Sequence, residues 1–171
     1  MFHVGDIVIH PNYGAGTVID IDKLACLGTS TDKRYYEIEL LNEPETLVWV
    51  PVSDAEEVLG VRRPSSFSMI QQIWEVLSRE PESLPSDYKK RNEMIREKFG
   101  TDDLVQIAEA LRDLAWRREK KHKLTQSGKR LYRKGMKRLA SEIAVIKGQA
   151  ISLAQAQISK KLYASFAKMS A

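Results

Sequence analysis

Residues 112–138 read RDLAWRREKKHKLTQSGKRLYRKGMKR. Twelve of them are basic: Arg112, Arg117, Arg118, Lys120, Lys121, Lys123, Lys129, Arg130, Arg133, Lys134, Lys137 and Arg138. Only Asp113 and Glu119 oppose them. Apolar residues recur at helical spacing at Leu111, Leu114 and Ala115, then at Leu131 and Leu139. The pattern predicts two helices that each bury one stripe and turn a cationic face outward. Such a face suits a polyanion, first of all a nucleic-acid backbone. The competing reading is a solvated helix surface without a partner.

At 171 residues the chain holds one ordinary domain or two small ones. Its 43% hydrophobic and 29% charged residues are those of a soluble globular protein. No apolar run approaches the roughly 18 residues of a membrane span. The opening MFHVGDIVIHP has neither a basic n-region nor an apolar h-region, so a cytoplasmic protein is expected, with no membrane partner. The single cysteine, Cys26, excludes an internal disulfide and any multi-cysteine metal site. The formal net charge of +4 hides a split. Residues 1–64 hold five basic and eleven acidic residues, about −6, and the remainder is about +10. Two modules with different partners follow, the first repelling nucleic acid and the second attracting it.

The first module, residues 1–64, reads as short strands and turns. Ile7, Val8 and Ile9 follow a Gly5-Asp6 turn; residues 17–22 (TVIDID) and 34–41 (RYYEIELL) alternate; residues 46–52 (TLVWVPV) make a further strand. Four or five strands in so short a span predict a small, bent, SH3-like sheet. Gly14-x-Gly16 lacks the spacing and the following helix of a phosphate loop, and reads as a tight turn. His3 and His10 have no cysteine partner and read as surface or strand-end residues, not metal ligands. In VWVP, Trp49 lies opposite Val48 and Val50: it is either an outward anchor for a protein partner or itself core.

After Gly60 and Pro64 the period becomes helical. Ser65 or Ser66 caps a first helix with Phe67, Ile70, Ile73, Trp74 and Leu77 on one stripe. Ser86-Asp87 caps a second, residues 88–99; Thr101-Asp102-Asp103 caps a third with Leu104, Ile107, Ala108, Leu111 and Leu114 inward; Thr125 caps a fourth, reaching about residue 147. Residues 149–171 read as a weak, loosely packed helical tail, so residues 65–148 are the expected helical, DNA-binding domain, an antiparallel bundle. The fold class is therefore α+β. Tyr88 opens the second helix and is followed at once by Lys89, Lys90 and Arg91. An aromatic beside cations at a helix N-terminus can wedge against a base step while the cations hold phosphates.

These residues resemble the CarD/CdnL-type bacterial transcription regulators. The resemblance runs over roughly residues 2–147: FHVGDIVIHPNYGAGTVIDID at the start, then VPV at 50–52, LGVRR at 59–63, IAEALRDLAWRRE at 107–119 and LTQSGKRLY at 124–132. It implies a Tudor-like N-terminal domain that docks on the RNA polymerase β subunit. It also implies a helical domain that contacts promoter DNA near the upstream edge of the transcription bubble. Its members wedge a Trp into the minor groove; counting back without gaps from Arg112-Asp113-Leu114, that position holds Tyr88, a departure from the pattern. Positions that face the polymerase as basic residues in some members fall near Leu24 and at Trp49. That makes Lys23, Leu24, Val48, Trp49 and Pro51 the candidate polymerase contacts.

The expectation is a monomeric regulator without cofactor, metal or catalysis, associated with the nucleoid through RNA polymerase, that stabilises the open promoter complex. Tyr88, Lys89, Lys90, Arg91, Lys129, Arg130, Arg133 and Lys134 are its candidate DNA contacts. A ribosome-associated protein that binds structured RNA is the alternative, opposed by the acidic first module. An enzyme is opposed by the lack of any Cys/His pair or clustered metal ligands.

Overall fold

The computed structural model describes residues 1–23 and 33–170. They fall into two compact units, Met1–Ser65 and Ser66–Ala171. Leu24 and Cys26 lie outside the described residues.

In the first unit β1 (Ile7–His10), β2 (Gly14–Lys23), β3 (Arg34–Leu40) and β4 (Leu47–Pro51) form one antiparallel sheet in sequence order. The alternation in β3 sends Tyr36, Ile38 and Leu40 inward, and leaves Tyr35, Glu37 and Glu39 on the outer face. A bulge between Val18 and Asp20 shifts the register of β2 against β3 and bends the sheet. Beyond β4 the chain returns to β1, where Ile9 and Arg62 exchange backbone hydrogen bonds of 2.7 and 3.1 Å. The enclosed core is Phe2, Val8, Val18, Tyr36, Ile38, Val50, Ala55 and Val61. Gly14 has φ 87°, as its turn requires. Gly16 lets β3 approach: a Cβ there would strike the Ile38 side chain and stand 2.8 Å from the Glu39 carbonyl oxygen. This pair of glycines serves the sheet, not a phosphate.

The second unit holds α1 (Phe67–Ser78), α2 (Tyr88–Gly100), α3 (Leu104–Lys121), α4 (Gln126–Lys147) and α5 (Ile151–Ser170). Three helices start as read. The Asp87 carboxylate accepts from the Lys89 and Lys90 amides, that of Asp103 from the Val105 amide, and the Thr125 hydroxyl from the Gly128 amide. Ser66 is the N-cap of α1, but its side chain makes no capping bond and faces the Ser68 hydroxyl at 2.7 Å. His122 ends α3 in the left-handed region at φ 53°.

The expected loosely packed tail is instead part of the bundle through α5. Ala154, Ile158, Leu162 and Phe166, four residues apart, are at most 2% exposed and belong to the same core as α1, α3 and α4. The Phe166 ring lies 5.0 Å from that of Trp116, and the Ser165 hydroxyl donates to the Ser78 carbonyl at 3.1 Å. The Ala-rich composition of α5 concealed a stripe one residue wide, set against surroundings of Gln, Ser and Lys. Each such buried Ile, Leu or Phe contributes roughly 1.5–3 kcal/mol of apolar burial. Trp74, read as core, is only partly buried and rims the bundle.

Candidate nucleic-acid interface

Two helix N-termini meet at one end of the bundle. The Asn92 side-chain amide, on the second turn of α2, donates to the Ser127 hydroxyl at the start of α4 over 2.7 Å. Asn92 is itself buried, so this link holds the two starts side by side. Their caps add to the alignment: Lys89 and Lys90 amides on Asp87 at 2.8 and 2.9 Å, and the Gly128 amide on Thr125 at 3.1 Å. The positive ends of both helix dipoles therefore lie beside one groove, to which both helix starts contribute residues.

Tyr88 is 53% exposed at the mouth of this region. Lys89, Lys90, Lys129, Arg130, Arg133 and Lys134 are all exposed. An open groove of about 730 Å³ is lined by Tyr88, Lys89, Asn92, Arg96 and Ser127, together with Glu93 and Glu97. Arg96, Asn92 and Ser127 were not singled out by sequence. Asn92 and Ser127 lie 35 residues apart and meet only in the folded bundle.

Three arginines do not face outward as the sequence suggested. Arg91, a candidate phosphate contact, is buried, and its guanidinium donates to the Pro85 and Ser86 carbonyls at 2.8 and 2.9 Å. It pins the loop ahead of α2 and is removed from the phosphate-seeking set. Arg112 is 4% exposed, bonded to Asp113 at 2.8 Å and to the Val76 carbonyl. Arg138 is 9% exposed and donates to the Phe99 carbonyl at 2.7 Å and to the Asp102 carboxylate. Arg118 is drawn over the Tyr132 ring at 4.4 Å, with the Tyr163 hydroxyl as a hydrogen-bond partner. The Asp113 carboxyl is held above its ordinary value by burial, although Arg112 and the Glu82 amide at 3.0 Å pull it down. At this carboxyl the desolvation outweighs the attraction.

On the sheet unit Trp49 points outward at 48% exposure, because Val50 at 1% takes the inward face of β4. Its cross-strand neighbour is Glu37, with Tyr35 opposite Pro51 and Glu39 opposite Leu47. Asp20 and Asp22 of β2 continue this row opposite Glu37 and Tyr35. The outer face is thus an aromatic and proline patch among carboxylates. Val48 faces inward, packed against the core, so its side chain is removed from the candidate contact surface. The Lys23 backbone closes β2 opposite Arg34. His10, at the end of β1, is buried; its Nδ1 accepts from the Asn12 amide at 3.1 Å and its ring packs on Tyr13 at 4.7 Å.

Residues 2–65 match the family model of the CarD-like/TRCF RID domain, and residues 72–159 match that of the CarD C-terminal domain. The chain belongs to the CarD family. The first model gives the sheet unit a Tudor-like fold, in keeping with its four antiparallel strands and the return to β1. A Bacillus subtilis (strain 168) protein named "Putative transcription factor YdeB" is 26% identical over 150 residues, 86% of this chain and 94% of that protein. The CarD C-terminal match stops at residue 159, whereas α5 continues unbroken to Ser170. Among the described residues of this CarD-family chain, no group of three or more His, Cys, Asp or Glu is placed to hold a metal. No described helix is long and apolar enough to cross a membrane.

Proposed function

We propose that this CarD-family protein regulates transcription by gripping RNA polymerase with its acidic sheet unit and promoter DNA with its basic helical unit. The observation that carries the reading is the paired start of α2 and α4: an exposed Tyr88 among six exposed cations, on two helix N-termini joined through Asn92 and Ser127. Lys89, Lys90, Lys129, Arg130, Arg133 and Lys134 would take phosphates, which positions the protein without reading bases. Tyr88 would lie against a distorted base step at the upstream edge of the bubble, where an apolar ring favours the unstacked form. Its hydroxyl stays near the rim, hydrated, so Tyr in place of the family's Trp costs contact area rather than a buried polar group.

The sheet unit would dock through Trp49, flanked by Pro51, on the polymerase β subunit, with Lys23, opposite Arg34 at the end of β2, and Leu24 as further candidate contacts. Glu37 and Glu39 beside Trp49 favour a docking surface that presents cations around an apolar pocket. Docking raises the effective concentration of a weak DNA-binding unit, so little sequence-specific contact is needed. The protein would act by binding alone, as a monomer, and would reside in the cytoplasm at the nucleoid. A gain of about 1.4 kcal/mol for the open complex shifts its ratio to the closed one tenfold.

The test is the lifetime of the open complex on a ribosomal-type promoter, with wild-type protein and Tyr88→Ala compared side by side. A shortened lifetime for the variant supports the wedge; equal lifetimes remove Tyr88 from the mechanism. Trp49→Ala is expected to abolish co-purification with the β subunit while leaving duplex binding intact.

A further inference from the structure

The cationic face that starts at Lys129 does not run the length of α4. Ser141, Glu142, Ile143 and Ala144 are all buried, so this turn is closed to any ligand. Past it, Lys147 emerges again, and its Nζ stands 5.4 Å from the centre of the Trp74 ring on α1. Lys160 and Lys161 arrive at the same place from α5. With Trp74 and Gln157 these lysines line a hollow of about 390 Å³. An adjoining hollow of about 430 Å³ shares Trp74 and Lys161 and adds Arg79. Glu75 is the carboxylate here, and it reaches only Arg79, at 3.9 Å. Among the described residues no carboxylate pairs with Lys147, Lys160 or Lys161.

Three ammonium groups without a carboxylate partner repel one another around Trp74, which offers a single ring face to relieve this, whereas Arg79 in the adjoining hollow is opposed by Glu75. A polyanion completes the balance. Ammonium groups are compact point charges that suit phosphate oxygens without demanding a fixed orientation. Along α4, Lys147 stands about 27 Å from Lys129, some eight base-pair steps.

We propose that the groove between α1, α4 and α5 is a second nucleic-acid contact, in which Lys147, Lys160, Lys161 and Arg79 hold backbone phosphates of duplex DNA beyond the segment held at Tyr88. It rests on the reading of the α2/α4 end as a duplex site. With two grips separated by a buried turn, the helical unit would hold DNA at both ends of α4.

The experiment measures full-length protein binding to a labelled duplex of about 30 base pairs by anisotropy across a potassium chloride series. Compared are wild type, Lys147→Gln/Lys160→Gln/Lys161→Gln, and Lys129→Gln/Arg130→Gln. The substituted lysines are exposed, so an unchanged thermal melt confirms intact folding. The triple variant is expected to reduce the slope of log K against log salt by about 2–3 and to lose at least about tenfold in affinity at low salt. A wild-type slope for the triple variant, with a reduced one for the Lys129/Arg130 variant, overturns this groove and keeps the first site. If neither slope falls, both readings fail. Wild-type duplex binding combined with lost binding to a polyglutamate peptide also overturns the proposal, by assigning the groove to an acidic protein.

Discussion

The two units bury polar groups to very different extents. Among the described residues the sheet unit buries one polar side chain, His10, whereas the helical unit buries Arg91, Arg112, Asp113, Arg138 and several more. The reason lies in where backbone carbonyls go. In a sheet the ladder uses them, and an inward charge would find no partner. A helix leaves its last carbonyls unmatched, and Arg can reach them. Arg112 donates to Val76 near the end of α1, Arg138 to Phe99 near the end of α2, and Arg91 to the loop that precedes α2. A cation-rich helical sequence therefore spends part of its charge on its own helix ends, and only the remainder is available to a polyanion.

That contrast can be broken at several points. The largest effect belongs to Asp113→Ala, which strands Arg112 without its carboxylate; we expect a loss of about 3–5 kcal/mol in urea unfolding. Arg112→Met combined with Asp113→Leu is expected to recover most of it, since apolar residues in place of a buried ion pair leave no charge stranded. If Asp113→Ala unfolded at the wild-type midpoint, the charge would not be buried as described. Next comes Phe166→Ala, which opens a cavity against Trp116 and is expected to cost about 3 kcal/mol; a frayed tail would register nothing.

Lys129→Gln/Arg130→Gln leaves stability alone but lowers duplex affinity, by about 1.4 kcal/mol or tenfold, with a salt slope smaller by about 2. Arg91→Gln should do the reverse, lowering stability without changing the salt slope; the two variants together separate structural cations from phosphate-seeking ones. The smallest effect falls in the sheet unit. Burial lowers the pKa of His10 below its ordinary 6.5, so its contribution is complete above that pH and is lost as pH falls toward the lowered value. His10→Asn keeps an acceptor for the Asn12 amide but does not titrate. Melting temperatures between about pH 7.5 and about pH 5 should therefore decline less for the variant than for wild type.

Much of this architecture is written in short-range pattern. The alternation in RYYEIELL and the caps at Asp87, Asp103 and Thr125 act over two to four residues, and the folded chain uses each of them as read. Trp49 could be left only as two options, because strand alternation says which residues share a face and not which face is covered. The stripe Ala154, Ile158, Leu162, Phe166 has the right spacing in the sequence, but its narrowness resembles a frayed helix until α1 and α3 are there to receive it.

By itself the sequence determined the kinds of element, their starts, and the division of charge between an acidic and a basic half, since these depend on each residue and its near neighbours. Tertiary structure alone decided which arginines face inward, that Asn92 reaches Ser127, and that Lys147, Lys160 and Lys161 gather around Trp74. Those outcomes depend on where a different helix ends: Arg138 finds its carbonyl 39 residues away, at Phe99. No periodicity within α4 can state where α2 stops.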